Sequence, residues 1–141
     1  MSRLFDVGSA VATPLDSSSD AKLKRAAFDE SHVATLETLI DKMDEELPPL
    51  KNFILPSGGL CAAHFHVART LARRAERRVV PMVRSGAVDP GVGIYLNRLS
   101  DFLFVAARFS ALRHGHSEKI YKKAREVPAA AAAGAETGAS A

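Results

Sequence analysis

Cysteine is almost missing from this chain: Cys61 stands alone among 141 residues. One thiol excludes an internal disulfide framework and any zinc site built from cysteines alone. A strong charge of one sign is also lacking. Lysine and arginine total 19 against 16 acidic residues, a net charge of +3. So mild a balance demands neither nucleic acid nor an anionic membrane as partner. No hydrophobic run suits a bilayer. The longest stretch free of Asp, Glu, Lys and Arg runs from Asn52 to Ala68 and contains Pro56, Gly58, Gly59 and two histidines. Met1 to Asp6 shows neither a secretory apolar core nor an Arg/Ser-rich transit pattern. Walker, GxSxG, HExxH and GxGxxG motifs are missing too. With 47% hydrophobic and 25% charged residues, the composition is that expected of one soluble, reduced, intracellular domain.

What is present is helical periodicity. Leu4, Phe5, Val7 and Val11 make residues 1–12 a short amphipathic piece, and Thr13 to Ser19 reads as a turn-rich linker. Val33, Leu36, Ile40, Met43 and Leu47 repeat at three and four residues. They predict a long helix from Ser19 or Asp20 to Leu47, ended by Pro48 and Pro49. A compact loop from Phe53 to Gly59 precedes a helix predicted over Leu60 to Arg78. There Cys61, Phe65, Ala68, Ala72, Ala75 and Val79 form a stripe about 80° wide. Its small residues invite close approach of a partner backbone. Pro81, Gly86, Pro90 and Gly91 mark a connection, and a last helix is expected from Val92 to Arg113 with Gly115 as its stop. No segment alternates as a strand does, so the fold class is all-α, a helical bundle. Residues 126–141, rich in alanine, are expected to be a disordered tail behind a domain spanning 1–125.

Charge is unevenly spread along this pattern. Asp20 to Leu47 carries eight acids and four bases, whereas Lys51 to Arg84 carries seven bases and one acid. Five of the twelve arginines fall between Arg69 and Arg78, and Arg69, Arg73 and Arg77 step by four. One reading is a solvated helix face. The other is a polyanion site, since planar guanidinium groups one turn apart can hold a di- or triphosphate in bidentate fashion. Nucleic acid would use the same groups, but no aromatic residue interleaves them, which argues against a single-strand platform. Asn97, Asp101 and Arg108 share a face of the last helix that reads as its wet side. Asn97 is the odd member, a weak helix former whose amide a ligand would justify. His64 and His66 lie about 200° apart around their helix and cannot share a metal, so no metal site is expected.

Four strings then become recognisable: Phe53-Ile-Leu-Pro-Ser-Gly-Gly59, His66-Val-Ala-Arg69, Arg73-Arg-Ala-Glu-Arg-Arg-Val-Val-Pro81 and Tyr95-Leu-Asn-Arg-Leu-Ser-Asp-Phe-Leu-Phe104. In this order and spacing they resemble the PduO-type ATP:cob(I)alamin adenosyltransferases. The early Leu-Phe-Asp-Val-Gly-Ser-Ala-Val-Ala-Thr-Pro stretch is similar to the mitochondrial eukaryotic branch of that family.

The resemblance implies a five-helix bundle, of which three to four helices are expected here, assembled as a homotrimer with active sites between subunits. It implies an enzyme that transfers the 5′-deoxyadenosyl group of ATP to cob(I)alamin and releases triphosphate, with Mg accompanying the nucleotide. Cobalt is the nucleophile, so no Ser or Cys nucleophile is needed. By motif position, Arg73, Arg74, Glu76, Arg77 and Asn97 match the ATP-binding residues. Phe53 and Arg69 match the catalytic positions: an aromatic beneath the corrin, and an arginine that pairs with an aspartate of an earlier helix. No metal ligands, nucleic-acid partner or membrane partner are implied. The location implied is mitochondrial for a eukaryotic chain, otherwise cytoplasmic. The family's Thr/Lys/Gly/Asp-rich phosphate loop, its first helix and the aspartate partner of Arg69 have no counterpart here. The chain is therefore expected to be a clipped product, a fragmentary gene model or an isoform, with weak or absent activity alone. The alternative is a non-catalytic partner of intact subunits.

Overall fold

The computed structural model describes residues 2–123; the tail expected to be disordered over 126–141 lies outside them. Five α-helices follow in order: α1 (Ser2–Val11), α2 (Asp20–Ala26), α3 (Ser31–Asp44), α4 (Gly59–Arg84) and α5 (Pro90–Arg113). Among the described residues the only β-pairing is an isolated antiparallel bridge between Ile54 and Ile120. The all-α class expected from the periodicity is the class that forms.

The α4–α5 pair is the axis of the bundle, and α3 lies along α5. Local signals set the ends of both long helices. At the start of α5, the Asp89 side chain accepts the Gly91 N–H at 2.6 Å, and Pro90 supplies a helix-ready φ at the first position. At the end of α4, Gly86 takes a φ of 78°. This lets its N–H reach the Val83 carbonyl at 3.0 Å and the Ala87 N–H reach the Met82 carbonyl at 2.9 Å, a Schellman closure. The same pair of bonds closes α5 at Gly115, the stop read from the sequence.

Three expectations are corrected. The helix expected over residues 19–47 breaks after Ala26. Ala27 leaves the helix at ψ 132°, which turns Phe28 into the core, edge-on to Tyr95 at 5.2 Å. Asp29 Oδ1 then accepts the Ser31 N–H at 2.8 Å as α3 begins. That hydrogen bond holds the Asp29 carboxyl below the usual carboxylate range. Second, Pro81 does not end α4; the helix runs through it to Arg84. The missing N–H costs about 3 kcal/mol in a helix interior. Val79, Met82 and Val83, packed against the main core, offset it.

Third, the inward stripe of α4 is displaced by one residue in its first half. Ala62, His66, Ala72 and Val79 are buried, while Cys61 and Ala75 are exposed. The cause lies in α5. Ala62 seats against Ala107 and Ala111. The chain passes so close there that a Cβ on Gly58 would stand 2.4 Å from the Ala111 Cβ. Gly58 also has a φ of 108°, so both its conformation and its surroundings require glycine. The larger core lies at the other end, where Val7, Phe28, Leu36, Val79, Val88, Val92, Tyr95 and Leu96 meet.

Candidate active site

The helix α4 presents its arginines at different depths. Arg69 and Arg73 are half-buried; Arg74, Arg77 and Arg78 are exposed. None of the five makes an ion pair among the described residues. At about 100° per residue, Arg69, Arg73 and Glu76 fall within a strip about 60° wide, Arg77 lies at its margin and Arg74 about 140° from Arg69.

A cavity of about 660 Å³ opens at the Arg69 end of that strip, lined by Leu50, Lys51, Asn52, Phe53, Ile54, Arg69, Phe104 and Tyr121. The Arg69 guanidinium lies 5.1 Å above the centroid of the Phe104 ring, and its Nε is buried without a hydrogen-bond partner. Behind Phe104 sits His66, buried, with ring centroids 6.4 Å apart. Burial, and next the charge of Arg69, push the His66 imidazole below its ordinary value of 6.5. It therefore backs the Phe104 ring as a neutral group at neutral pH. Phe53 projects from the α3–α4 loop with 85% of its surface exposed, so no packing within the chain holds its ring.

A groove of about 400 Å³ lies about two turns further along α4, lined by Glu76, Val80, Val83, Arg84, Pro90, Gly93, Ile94 and Asn97. Asn97 Nδ2 donates to Glu76 Oε1 at 2.8 Å across the α4–α5 seam. This bond fixes the carboxylate on the groove side of α4.

The structure thus brings Phe53 and Arg69 together in one cavity and Glu76 and Asn97 together in another. Arg73 lies between them on α4, one turn from each, and lines neither cavity; Arg74 and Arg77 line neither as well. Arg108 belongs to no wet face. It is 4% exposed and bonded to Glu118, whereas Asn97 is exposed and Asp101 pairs with Arg98 at 3.1 Å. Sequence reasoning missed Tyr121 and Phe104 as walls of the larger cavity. The aromatic at Phe104 lay inside a recognised string, but nothing local marks Tyr121, which arrives from beyond α5. Among the described residues no group of three or more His, Cys, Asp and Glu side chains is placed to hold a metal. No described helix is long and apolar enough to cross a membrane.

The described residues thus form an α-helical bundle with an arginine-bearing helix running past two cavities. The chain belongs to the cobalamin adenosyltransferase family, whose profile matches residues 1–110. Over 120 residues it is 56% identical to the corrinoid adenosyltransferase MMAB of Mus musculus, covering 85% of this chain and 51% of that protein. It is 45% identical over 120 residues to the corrinoid adenosyltransferase of Bacillus subtilis (strain 168), covering 85% of this chain and 59% of that one. The structure of a point variant of the PduO-type ATP:corrinoid adenosyltransferase from Lactobacillus reuteri, complexed with cobalamin and ATP, superposes with a TM-score of 0.77 at 36% identity. That match covers 86% of this chain and 66% of the other. The chain spans about half the length of the curated mammalian relatives it matches.

Proposed function

We propose that the chain is an ATP:cob(I)alamin adenosyltransferase that forms adenosylcobalamin and releases triphosphate. One observation carries this reading. A cavity walled by Phe53, Arg69 and Phe104 and a groove bounded by Glu76 and Asn97 lie along one side of α4, with the unpaired Arg73 between them. The larger cavity takes the corrinoid and the groove takes the nucleotide. Arg73, with Arg77 at the margin of the strip, holds the triphosphate by charge-assisted hydrogen bonds that persist as its negative charge grows on departure.

In the reaction, the Co(I) electron pair forms the bond to the ribose C5′ while the C5′–O bond breaks, and triphosphate leaves with the bonding electrons. The protein supplies no nucleophile. It sets C5′ against cobalt, and Phe53 closes one axial side of the corrin with hydrocarbon, excluding a ligand there. Phe104, Ile54 and Tyr121 keep water from the reacting centre. Mg fits as an ion carried on the phosphates, which needs at most one or two carboxylates from the protein; Glu76 is the carboxylate at the groove.

Assembly as a homotrimer is part of the proposal. Leu60 at 77% and Val67 at 57% exposure are apolar groups that a neighbouring subunit would cover. A mitochondrial location is supported by the resemblance of the Leu4 to Pro14 stretch to the mitochondrial branch. The unpaired α4 arginines and the same apolar residues also favour a second reading: a subunit that works only when docked on an intact relative.

The test is transfer itself. The purified chain, given ATP, Mg and chemically reduced cobalamin, is expected to yield adenosylcobalamin and triphosphate. Product only on mixing with a full-length subunit, with co-purification of the two, selects the second reading. No product in either case overturns both.

A further inference from the structure

We infer that Arg108 is a positioning residue for the Phe53 loop, acting through a strap formed by residues 116–121; this rests on the reading that the Phe53 cavity takes the corrinoid. Arg108 is the most buried charged side chain described, 4% exposed, yet it sits on α5 away from the α4 arginines. Its guanidinium gathers separate stretches of chain. Nε donates to Glu118 Oε1 at 2.5 Å, and a terminal nitrogen donates to the Pro48 carbonyl at 2.7 Å. Asp44, at the end of α3, stands 3.7 Å away. One cation therefore ties the start of the α3–α4 loop to the strap.

From Glu118 the strap runs directly to the loop. The Leu55 N–H donates to the Lys119 carbonyl at 2.7 Å, and the Tyr121 N–H donates to the Phe53 carbonyl at 2.8 Å. The Lys119 N–H donates to Ser57 Oγ at 3.3 Å. These bonds bracket Phe53, and the Tyr121 side chain enters the same cavity. The ring of Phe53 has no packing to hold it, so its place is set by its backbone. That backbone is pinned at both sides by bonds leading back to Arg108. An apolar residue of similar volume would fill the Arg108 site at lower desolvation cost but would fix neither segment.

The experiment is Glu118→Ala, with Glu118→Gln as the milder variant that keeps an acceptor in place. Amide hydrogen exchange is read at Leu55 and Tyr121, and at Leu96 and Ala107 within α5. In Glu118→Ala, exchange at Leu55 and Tyr121 is expected to speed up at least about tenfold while the α5 amides stay within about twofold. Glu118→Gln restores part of the protection. In the transfer assay, KM for the corrinoid rises about fivefold or more while KM for ATP stays within about twofold. Unchanged exchange at Leu55 and Tyr121 overturns the proposal. Equal deprotection of α5, or equal loss for both substrates, also overturns it, because Arg108 would then support only the bundle. If the parent binds no corrinoid while Glu118→Ala still shows the expected exchange pattern, the reading of the cavity is refuted and the brace is upheld.

Discussion

Removing the Phe53 ring separates folding from chemistry. Phenylalanine carries about 200 Å² of side-chain surface. At 85% exposure the free chain buries only about 30 Å² of it, worth less than about 1 kcal/mol of folding free energy. Phe53→Ala is therefore expected to unfold in urea within about 1 kcal/mol of the parent. The other ~170 Å² is available to a corrinoid, a ceiling of about 4 kcal/mol at 25 cal/mol/Å². A flat macrocycle covers one face of the ring, so about half of that, about 2 kcal/mol, is the expected loss. It corresponds to about 30-fold in kcat/KM for cob(I)alamin. The assay pairs urea unfolding with initial rates of adenosylcobalamin formation at varied corrinoid. A variant that loses more than about 2 kcal/mol of stability, or that keeps parental corrinoid kinetics, refutes the reasoning.

Two further outcomes follow from the geometry. Gly58→Ala must adopt a φ of 108° and drive a Cβ to 2.4 Å from the Ala111 Cβ, whereas Gly86→Ala at φ 78° meets nothing within 4 Å. The second change should cost about 1–2 kcal/mol and the first about 2–5 kcal/mol; equal losses of thermal stability for the two would contradict the close α4–α5 approach. The His66 pKa is lowered by burial, so between its folded value and 6.5 the unfolded chain binds more protons. Its contribution to stability is complete above about pH 6.5 and disappears as pH falls through the folded value. Unfolding free energies from about pH 7.5 to about pH 5 should fall more steeply for the parent than for His66→Gln; identical slopes would mean that His66 stays hydrated.

The parts of this molecule legible in its sequence are those governed by neighbours along the chain. Asp89-Pro90 and Gly115 mark helix ends by local chemistry, and the α3 periodicity places Leu36 inside as read. The expected helix over residues 19–47 failed because Phe28 gains more by turning onto Tyr95 than by continuing the helix. No local signal carries that distant contact. The Ala62-for-Cys61 displacement in α4 has the same origin, since the small residues that select it lie on α5. At the site, Phe53 and Glu76 were named through the resemblance, Asn97 was marked first as a poor helix former, and spacing alone left the arginine row with Arg69 open between solvent and phosphate. Arg108 was misplaced because helical phase put it opposite the main seam. Its partners, Pro48 and Glu118, lie 60 and 10 residues away.

The central claim is that the Arg69–Asn97 side of α4 and α5 sets the ribose carbon of ATP against a Co(I) corrinoid. Product analysis of the transfer reaction tests it most directly. The account predicts a cobalt–carbon bond to the deoxyadenosyl group and intact triphosphate in equal amount, both abolished together when Arg73 is replaced by alanine. Release of ADP or orthophosphate without alkylated cobalt, or transfer that is indifferent to Arg73→Ala, would contradict it.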